Sequence, residues 1–277
     1  MEVRMAEHLG MCFGVREAID LALELAQHGR VAILGDLVHN PDVVAEVEAA
    51  GAVRVQRPES LQTQTVLLTA HGTANRVKLQ LQEDGYQVHD AACPLVKRVH
   101  QAVAKLVAEG RHPVIIGQAG HVEVRGLVGD LEEYTIVLHE DDLGQLAGLP
   151  RLGIVAQTTQ PLERVLELVA MIRSRFPEAD LHFIDTVCQP TKDRQTALHE
   201  LADQCEVVVV VGGPESNNSR KLADLARRLG RPTYQVANAA ELQPEWFAGV
   251  RVVGLTAGTS TPDPVIRAVQ ERLKTLG

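Results

Sequence analysis

The sequence predicts an α/β fold of three pseudo-equivalent α/β units, each with a small, mostly parallel sheet. Short apolar runs alternate with longer segments of helical period, the pattern of parallel α/β folds. The runs are continuously apolar, as in strands covered on both faces. Three cysteines and six polar loops then recur in a fixed order along the chain, which reads as a diverged threefold repeat.

Taken in order, strands are expected at 31–34, 66–68, 114–116, 154–155, 207–211 and 252–255. Helical segments at 41–50, 74–83, 99–109, 161–176, 219–229 and 264–276 lie between them. A helix is expected directly after each of Cys12, Cys93 and Cys188, the one after Cys93 running into 99–109, with Pro94 and Pro190 near two of the starts, where proline is favoured. The expected units are 13–95, 96–187 and 188–277, the last completed by an amino-terminal strand within 1–12.

A chain of 277 residues can bury a substantial core, and its net charge of −9 argues against nucleic acid or an acidic membrane as partner. No apolar run is long enough to span a membrane, and the amino terminus lacks the basic and apolar regions of a secretion signal. A cytoplasmic globular protein is expected.

A thiol at a helix start meets free backbone N–H groups and the positive end of the helix dipole, so its thiolate is favoured. Cys12, Cys93 and Cys188 share that position, which suggests three ligands of one site. Cys205, at the entry to the apolar run 207–211, reads instead as a small buried hydrophobe. The chain has neither the dense cysteine framework of a disulfide scaffold nor the C-x₂-C pair of structural zinc.

The loops after the six strands carry Val-His-Asn at 38–40, Ala-His-Gly at 70–72, Gly-His-Val-Glu at 120–123, Ala-Gln-Thr-Thr at 156–159, Glu-Ser-Asn-Asn-Ser at 215–219 and Ala-Gly-Thr-Ser at 257–260. A lone histidine in a turn ordinarily serves its own backbone, and Asn218 or Ser219 would ordinarily cap the helix that follows. Their common position after successive strands is what makes them candidates, because ligands of open α/β sheets bind at strand carboxyl ends.

Eight motifs in order give a specific resemblance. Gly-Met-Cys-Phe-Gly-Val at 10–15, Val-His-Asn at 38–40, Ala-His-Gly at 70–72, Cys-Pro-Leu-Val at 93–96, Gly-His-Val-Glu-Val at 120–124, Gln-Thr-Thr at 157–159, Ser-Asn-Asn-Ser at 216–219 and Thr-Ala-Gly-Thr-Ser at 256–260 together resemble the 4-hydroxy-3-methylbut-2-enyl diphosphate reductase (LytB/IspH) family almost end to end. Three positions depart from the family pattern: Ala92 replaces a threonine, Val122 a proline and Asn217 a serine.

The resemblance implies a [4Fe–4S] cluster on Cys12, Cys93 and Cys188 with one iron open, at the centre of the three units. It implies removal of an allylic hydroxyl by two electrons and two protons, giving isopentenyl and dimethylallyl diphosphates and water, the last step of the methylerythritol phosphate pathway. The electrons would come from an external donor such as ferredoxin or flavodoxin. The diphosphate would be held by His39, His71, His121, Ser216, Asn217, Asn218 and Ser260, with imidazolium favoured by the phosphate charge. Glu123 would deliver a proton and Thr158 would place the hydroxyl. Other classes stay open to the sequence: an open-iron dehydratase or quinolinate-synthase-like lyase, and a non-redox binding module or mononuclear metal hydrolase built on the His and Glu residues.

Overall fold

The computed structural model describes residues 1–38 and 40–276. In chain order the elements are β1 (Glu2–Met5), α1 (Phe13–His28), β2 (Val31–Leu34), α2 (Pro41–Ala49), β3 (Ala52–Val55), β4 (Thr65–Leu68), α3 (Asn75–Glu83), β5 (Gln87–Asp90), α4 (Pro94–Ala108), β6 (His112–Ile116), α5 (Val122–Val128), β7 (Thr135–Val137), β8 (Arg151–Ala156), α6 (Leu162–Arg175), β9 (Asp180–Phe183), α7 (Gln189–Ala202), β10 (Val207–Val211), α8 (Asn217–Arg228), β11 (Thr233–Val236), β12 (Val252–Ala257) and α9 (Asp263–Leu276).

The strands form three four-stranded sheets with orders β3-β2-β4-β5, β7-β6-β8-β9 and β1-β12-β10-β11. All strand pairs among the described residues are parallel. The three orders are one pattern, with the amino-terminal strand β1 in the third sheet standing where β5 and β9 stand in the others. The same hydrogen bonds recur beside the strands. Gly35, Gly117 and Gly212, each directly after an inner strand, donate to the carbonyls of Val55, Val137 and Val236 at 2.8, 3.0 and 2.8 Å.

The six strands legible in the sequence are the six interior ones, and burial explains why. Val207–Val211 is buried throughout. Val207, Val209 and Val211 pack with Ile266, Val269 and Leu273 of α9, while Val208 and Val210 pack with Leu198 and Leu201 of α7 and Leu222 of α8. In the second sheet Val114, Ile116 and Ile154 meet Leu168 and Ile172 of α6, and Ile115 and Val155 meet Val99, Val103 and Leu127 of α4 and α5. Each large aliphatic side chain buried in this way contributes about 1.5–3 kcal/mol. With both faces covered, successive residues must all be apolar.

By contacts the chain divides into two compact units, Glu17–Leu37 with Ala45–Cys188, and Met1–Arg16 with Val38–Val44 and Gln189–Gly277. The first holds the sheets of β2 and β6, the second the sheet of β10. Among the described residues no helix is long and apolar enough to cross a membrane.

Candidate functional site

Each of the three cysteines follows an edge strand and directly precedes a helix: Cys12 before α1, Cys93 before α4 and Cys188 before α7. Their backbone N–H groups repeat one hydrogen bond. Cys93 donates to the Ala70 carbonyl at 3.1 Å, Cys188 to Thr158 at 3.0 Å and Cys12 to Thr259 at 3.1 Å. Each acceptor lies two residues past the end of an inner strand, β4, β8 and β12 respectively. Thus the cysteine loops are pinned to the polar loops by backbone alone. Two of them share a further device: Asp90 Oδ1 accepts from the Ala92 N–H at 3.0 Å, and Asp185 Oδ1 from the Val187 N–H at 3.1 Å. An aspartate three positions ahead of a cysteine, bonding the backbone two residues on, is a turn signal. It was present in the sequence as Asp-x-x-Cys at 90–93 and 185–188, and sequence reasoning gave it no role.

Cys12, Cys93 and Cys188 are half-buried, whereas Cys205 is buried among Leu198, Leu201 and Val208, as expected. Burial pushes the Cys205 thiol up. Three accessible thiols suit a soft-ligand centre such as an iron–sulfur cluster. Among the described residues no three His, Cys, Asp or Glu form a ready-made metal-holding group, so the fit rests on donor chemistry and on the three helix starts.

Within the larger unit the other candidates gather on neighbouring loops. Gly72 has φ +80°, a left-handed conformation that favours glycine, and a Cβ there would lie 2.8 Å from Val96 Cγ1. The Gly72 carbonyl in turn runs so close to α5 that a Cβ on Gly126 would lie 2.9 Å from its oxygen. This close approach holds His71 beside His121, their ring centroids 6.0 Å apart and edge to face. His121 is the N-cap of α5: its Nδ1 accepts from the Glu123 N–H at 3.1 Å. A ring accepting there through Nδ1 leaves Nε2 to carry the proton. The helix was also missed, for the sequence placed Glu123 in a loop and the structure places it in the first turn of α5.

Glu123 is 2% exposed and Thr158 5% exposed. The Thr158 N–H donates to Glu123 Oε1 at 2.7 Å, and its hydroxyl donates to Oε2 at 2.8 Å. Since the Thr158 carbonyl accepts from Cys188, one residue joins the buried acid to a cysteine loop. Gln157 is fully buried, and its Oε1 accepts from the Gln118 N–H at 3.1 Å and from Gln160 Nε2 at 3.0 Å. It ties the 117–121 loop to the 157–160 loop, a role invisible until the two loops are neighbours.

The other unit presents the Ser-Asn-Asn-Ser segment. Ser216 caps α8, accepting from the Ser219 N–H at 3.3 Å, whereas Asn218 or Ser219 had been expected to cap. Ser219 is pressed between two glycines: a Cβ on Gly212 or Gly258 would fall 2.1 or 2.0 Å from its Oγ. Asn217 and Asn218 stand in the first turn of α8, each 6% exposed. Their buried Nδ2 groups have no hydrogen-bond acceptor among the described residues. Unmet donors at a helix N-terminus favour an anion. Ser260 is likewise buried, and its carbonyl accepts from Asn40 Nδ2 at 2.9 Å. His39 lies outside the described residues. The candidates therefore fall into two sets: Cys93, Cys188, His71, His121, Glu123 and Thr158 in one unit, and Cys12, Ser216, Asn217, Asn218 and Ser260 in the other.

Three parallel sheets whose thiols, histidines and buried acid collect just past strand ends define an α/β enzyme of triplicated design. The chain belongs to the LytB protein family, which it matches over residues 3–274. It is 40% identical over 282 residues to the 4-hydroxy-3-methylbut-2-enyl diphosphate reductase of Methylibium petroleiphilum, covering 100% of this chain and 86% of that one. The reductase of Aquifex aeolicus is 38% identical, with 99% and 96% covered. A solved structure of (E)-4-hydroxy-3-methyl-but-2-enyl diphosphate reductase, the terminal enzyme of the non-mevalonate pathway, matches with TM-score 0.71 at 37% identity, over 99% of this chain and 100% of that chain. The E-1-hydroxy-2-methyl-but-2-enyl-4-diphosphate reductase of Plasmodium falciparum shares the fold, with TM-score 0.91 at 24% identity over 99% and 87% of the two chains.

Proposed function

We propose that this protein is a 4-hydroxy-3-methylbut-2-enyl diphosphate reductase that replaces the allylic hydroxyl of its substrate with hydrogen, releasing water and yielding isopentenyl and dimethylallyl diphosphates. The observation that carries the reading is identity of 40% to a named reductase along the whole chain, together with the buried Glu123–Thr158 pair next to a cysteine loop. Cys12, Cys93 and Cys188 would hold a [4Fe–4S] cluster, which would pass electrons to the substrate and act as a Lewis acid on its hydroxyl. An external low-potential donor such as ferredoxin or flavodoxin delivers those electrons, because no side chain does so. Three α/β units at 13–95, 96–187 and 188–277 with 1–12 are the framework, and the cytoplasm is the compartment.

The protein's own groups do the rest. His39, His71 and His121 with Ser216, Asn217, Asn218 and Ser260 bind the diphosphate. The unmet amide donors of Asn217 and Asn218 support this, and a serine where the family has one is replaced by a group that also donates. His121 serves as donor through Nε2. Glu123 holds the proton that the departing hydroxyl needs. When Glu123 is protonated on Oε2, its bond to Thr158 reverses and the Thr158 hydroxyl is free to donate towards substrate.

Anaerobic reconstitution with iron and sulfide, followed by turnover of the allylic diphosphate with a chemical electron donor, tests the reading. Four iron per chain, broad visible absorbance and both isomeric diphosphates are expected. A protein that takes up no iron, or takes it up and leaves the allylic diphosphate unreduced, overturns it.

A further inference from the structure

We propose that Arg194 is a positioning residue for the thiolate site and supplies the fixed positive charge that favours its reduced state; the proposal rests on the cluster reading above. Arg194 projects from α7 and is 6% exposed, a position in which a guanidinium is costly unless acceptors and negative charge compensate it. Its Nη1 donates to the Pro190 carbonyl at 2.8 Å and its Nη2 to the Gly10 carbonyl. Pro190 is two residues after Cys188, and Gly10 is two residues before Cys12. One side chain thus joins the first turn of α7, which follows Cys188, to the segment that leads into Cys12.

The Gly10 end of this grip is rigid. Gly10 has φ +75°, its N–H donates to the Ala257 carbonyl at 3.3 Å, and a Cβ there would lie 2.8 Å from Ile266 Cδ1. Two residues on, the Cys12 N–H is held by Thr259. Only a planar fork reaches two carbonyls at once, so lysine keeps the charge but not the geometry. Adding an electron makes a thiolate-ligated cluster more negative, and a buried cation nearby favours that form. Loss of the charge therefore moves the midpoint potential to more negative values.

The experiment compares anaerobically reconstituted wild type, Arg194→Lys and Arg194→Gln. Iron loss to a chelator and the midpoint potential are measured, with melting temperature recorded alongside. Losing a charge-assisted hydrogen bond of about 1.5–3 kcal/mol speeds iron loss about tenfold to a hundredfold in both variants. The potential falls in Arg194→Gln and stays near wild type in Arg194→Lys, a split that a merely structural residue does not produce. Should Arg194→Gln fail to fold, Arg194→Met takes its place as the variant without the charge, and the same split in potential against Arg194→Lys decides. Wild-type iron retention in Arg194→Lys, or an unmoved potential in a folded Arg194→Gln, overturns it. A wild-type protein that binds no cluster overturns the functional reading and this proposal together.

Discussion

Thr158 and Glu123 meet through two hydrogen bonds, from the Thr158 N–H at 2.7 Å and from its hydroxyl at 2.8 Å. The first comes from fixed backbone and locks the carboxyl in place. The second involves a rotatable group whose direction depends on where the proton is. A buried acid held in this way is oriented before substrate arrives.

Glu123→Gln should therefore separate binding from proton delivery. The amide oxygen can still accept from the Thr158 N–H and the amide nitrogen can donate to the hydroxyl, so the fold is retained. Iron content and substrate affinity should stay near wild type while kcat falls about 10²–10⁴-fold. Near-normal kcat in a sample of verified iron content means that the proton comes from another group.

Thr158→Val tests the second bond on its own. The backbone N–H remains, but Glu123 Oε2 faces a methyl group in place of the threonine hydroxyl. We expect a drop in kcat with little change in KM, and a stability lowered by about 1.5–3 kcal/mol, the worth of one hydrogen bond to a carboxylate. Thr158→Ser should restore turnover. Equal loss in the serine variant argues for packing of the γ-methyl instead of the hydroxyl.

How much of this was legible beforehand differs by element. The interior strands announced themselves as Val207–Val211 does, because two covered faces demand unbroken apolar sequence. Their edge neighbours did not: Gln87–Asp90 reads QVHD and Asp180–Phe183 reads DLHF, too short and polar to stand out from loops. Glu123 was found as a candidate but assigned to a loop, since the seven-residue α5 is too short to display a period. His71 beside His121 was beyond reach, because their proximity depends on Gly72 and Gly126 letting two backbones touch. Glycines mark such approaches only after the partner is known.

Replacing Cys12, Cys93 or Cys188 with serine should each lower iron content and visible absorbance sharply, since a hydroxyl is a poor substitute for thiolate on iron. Cys205→Ser should keep both, because its thiol is packed among aliphatic side chains with Leu201 and Val208. It should instead lower the melting temperature modestly. Iron lost from Cys205→Ser but kept in one of the other three contradicts the ligand assignment.

Asn218→Ala should weaken binding of the diphosphate about tenfold to a hundredfold, the worth of one charge-assisted hydrogen bond of ~1.5–3 kcal/mol. Asn218→Asp should weaken it further by setting an anion against an anion, although the same change is benign for the helix start. Calorimetric titration with the diphosphate and with the unphosphorylated alcohol separates the cradle from the apolar contacts. Equal affinity of the wild type for both compounds shows that the asparagines do not face the phosphates.

Asp90 gives a pH dependence whose sign follows from its partners. Burial raises the pKa of its carboxyl. That effect is outweighed by the hydrogen bonds from Lys78 and the Ala92 N–H and by the charges of Lys97 and Lys78, so the carboxyl sits below its ordinary value. Lys78 Nζ is 2.9 Å away and Lys97 Nζ 3.5 Å. A depressed folded-state pKa stabilises the native protein above the unfolded value, near pH ~4, and the gain is lost as pH falls through the folded value. Denaturant unfolding of wild type and Asp90→Asn should accordingly differ most above pH ~5 and converge on acidification. Because Asp90 Oδ1 also fixes the turn into Cys93, and an asparagine oxygen can still accept there, iron content in Asp90→Asn should stay close to wild type. A stability gap that does not change with pH means that Asp90 acts through the turn alone and that its lysine partners contribute nothing measurable.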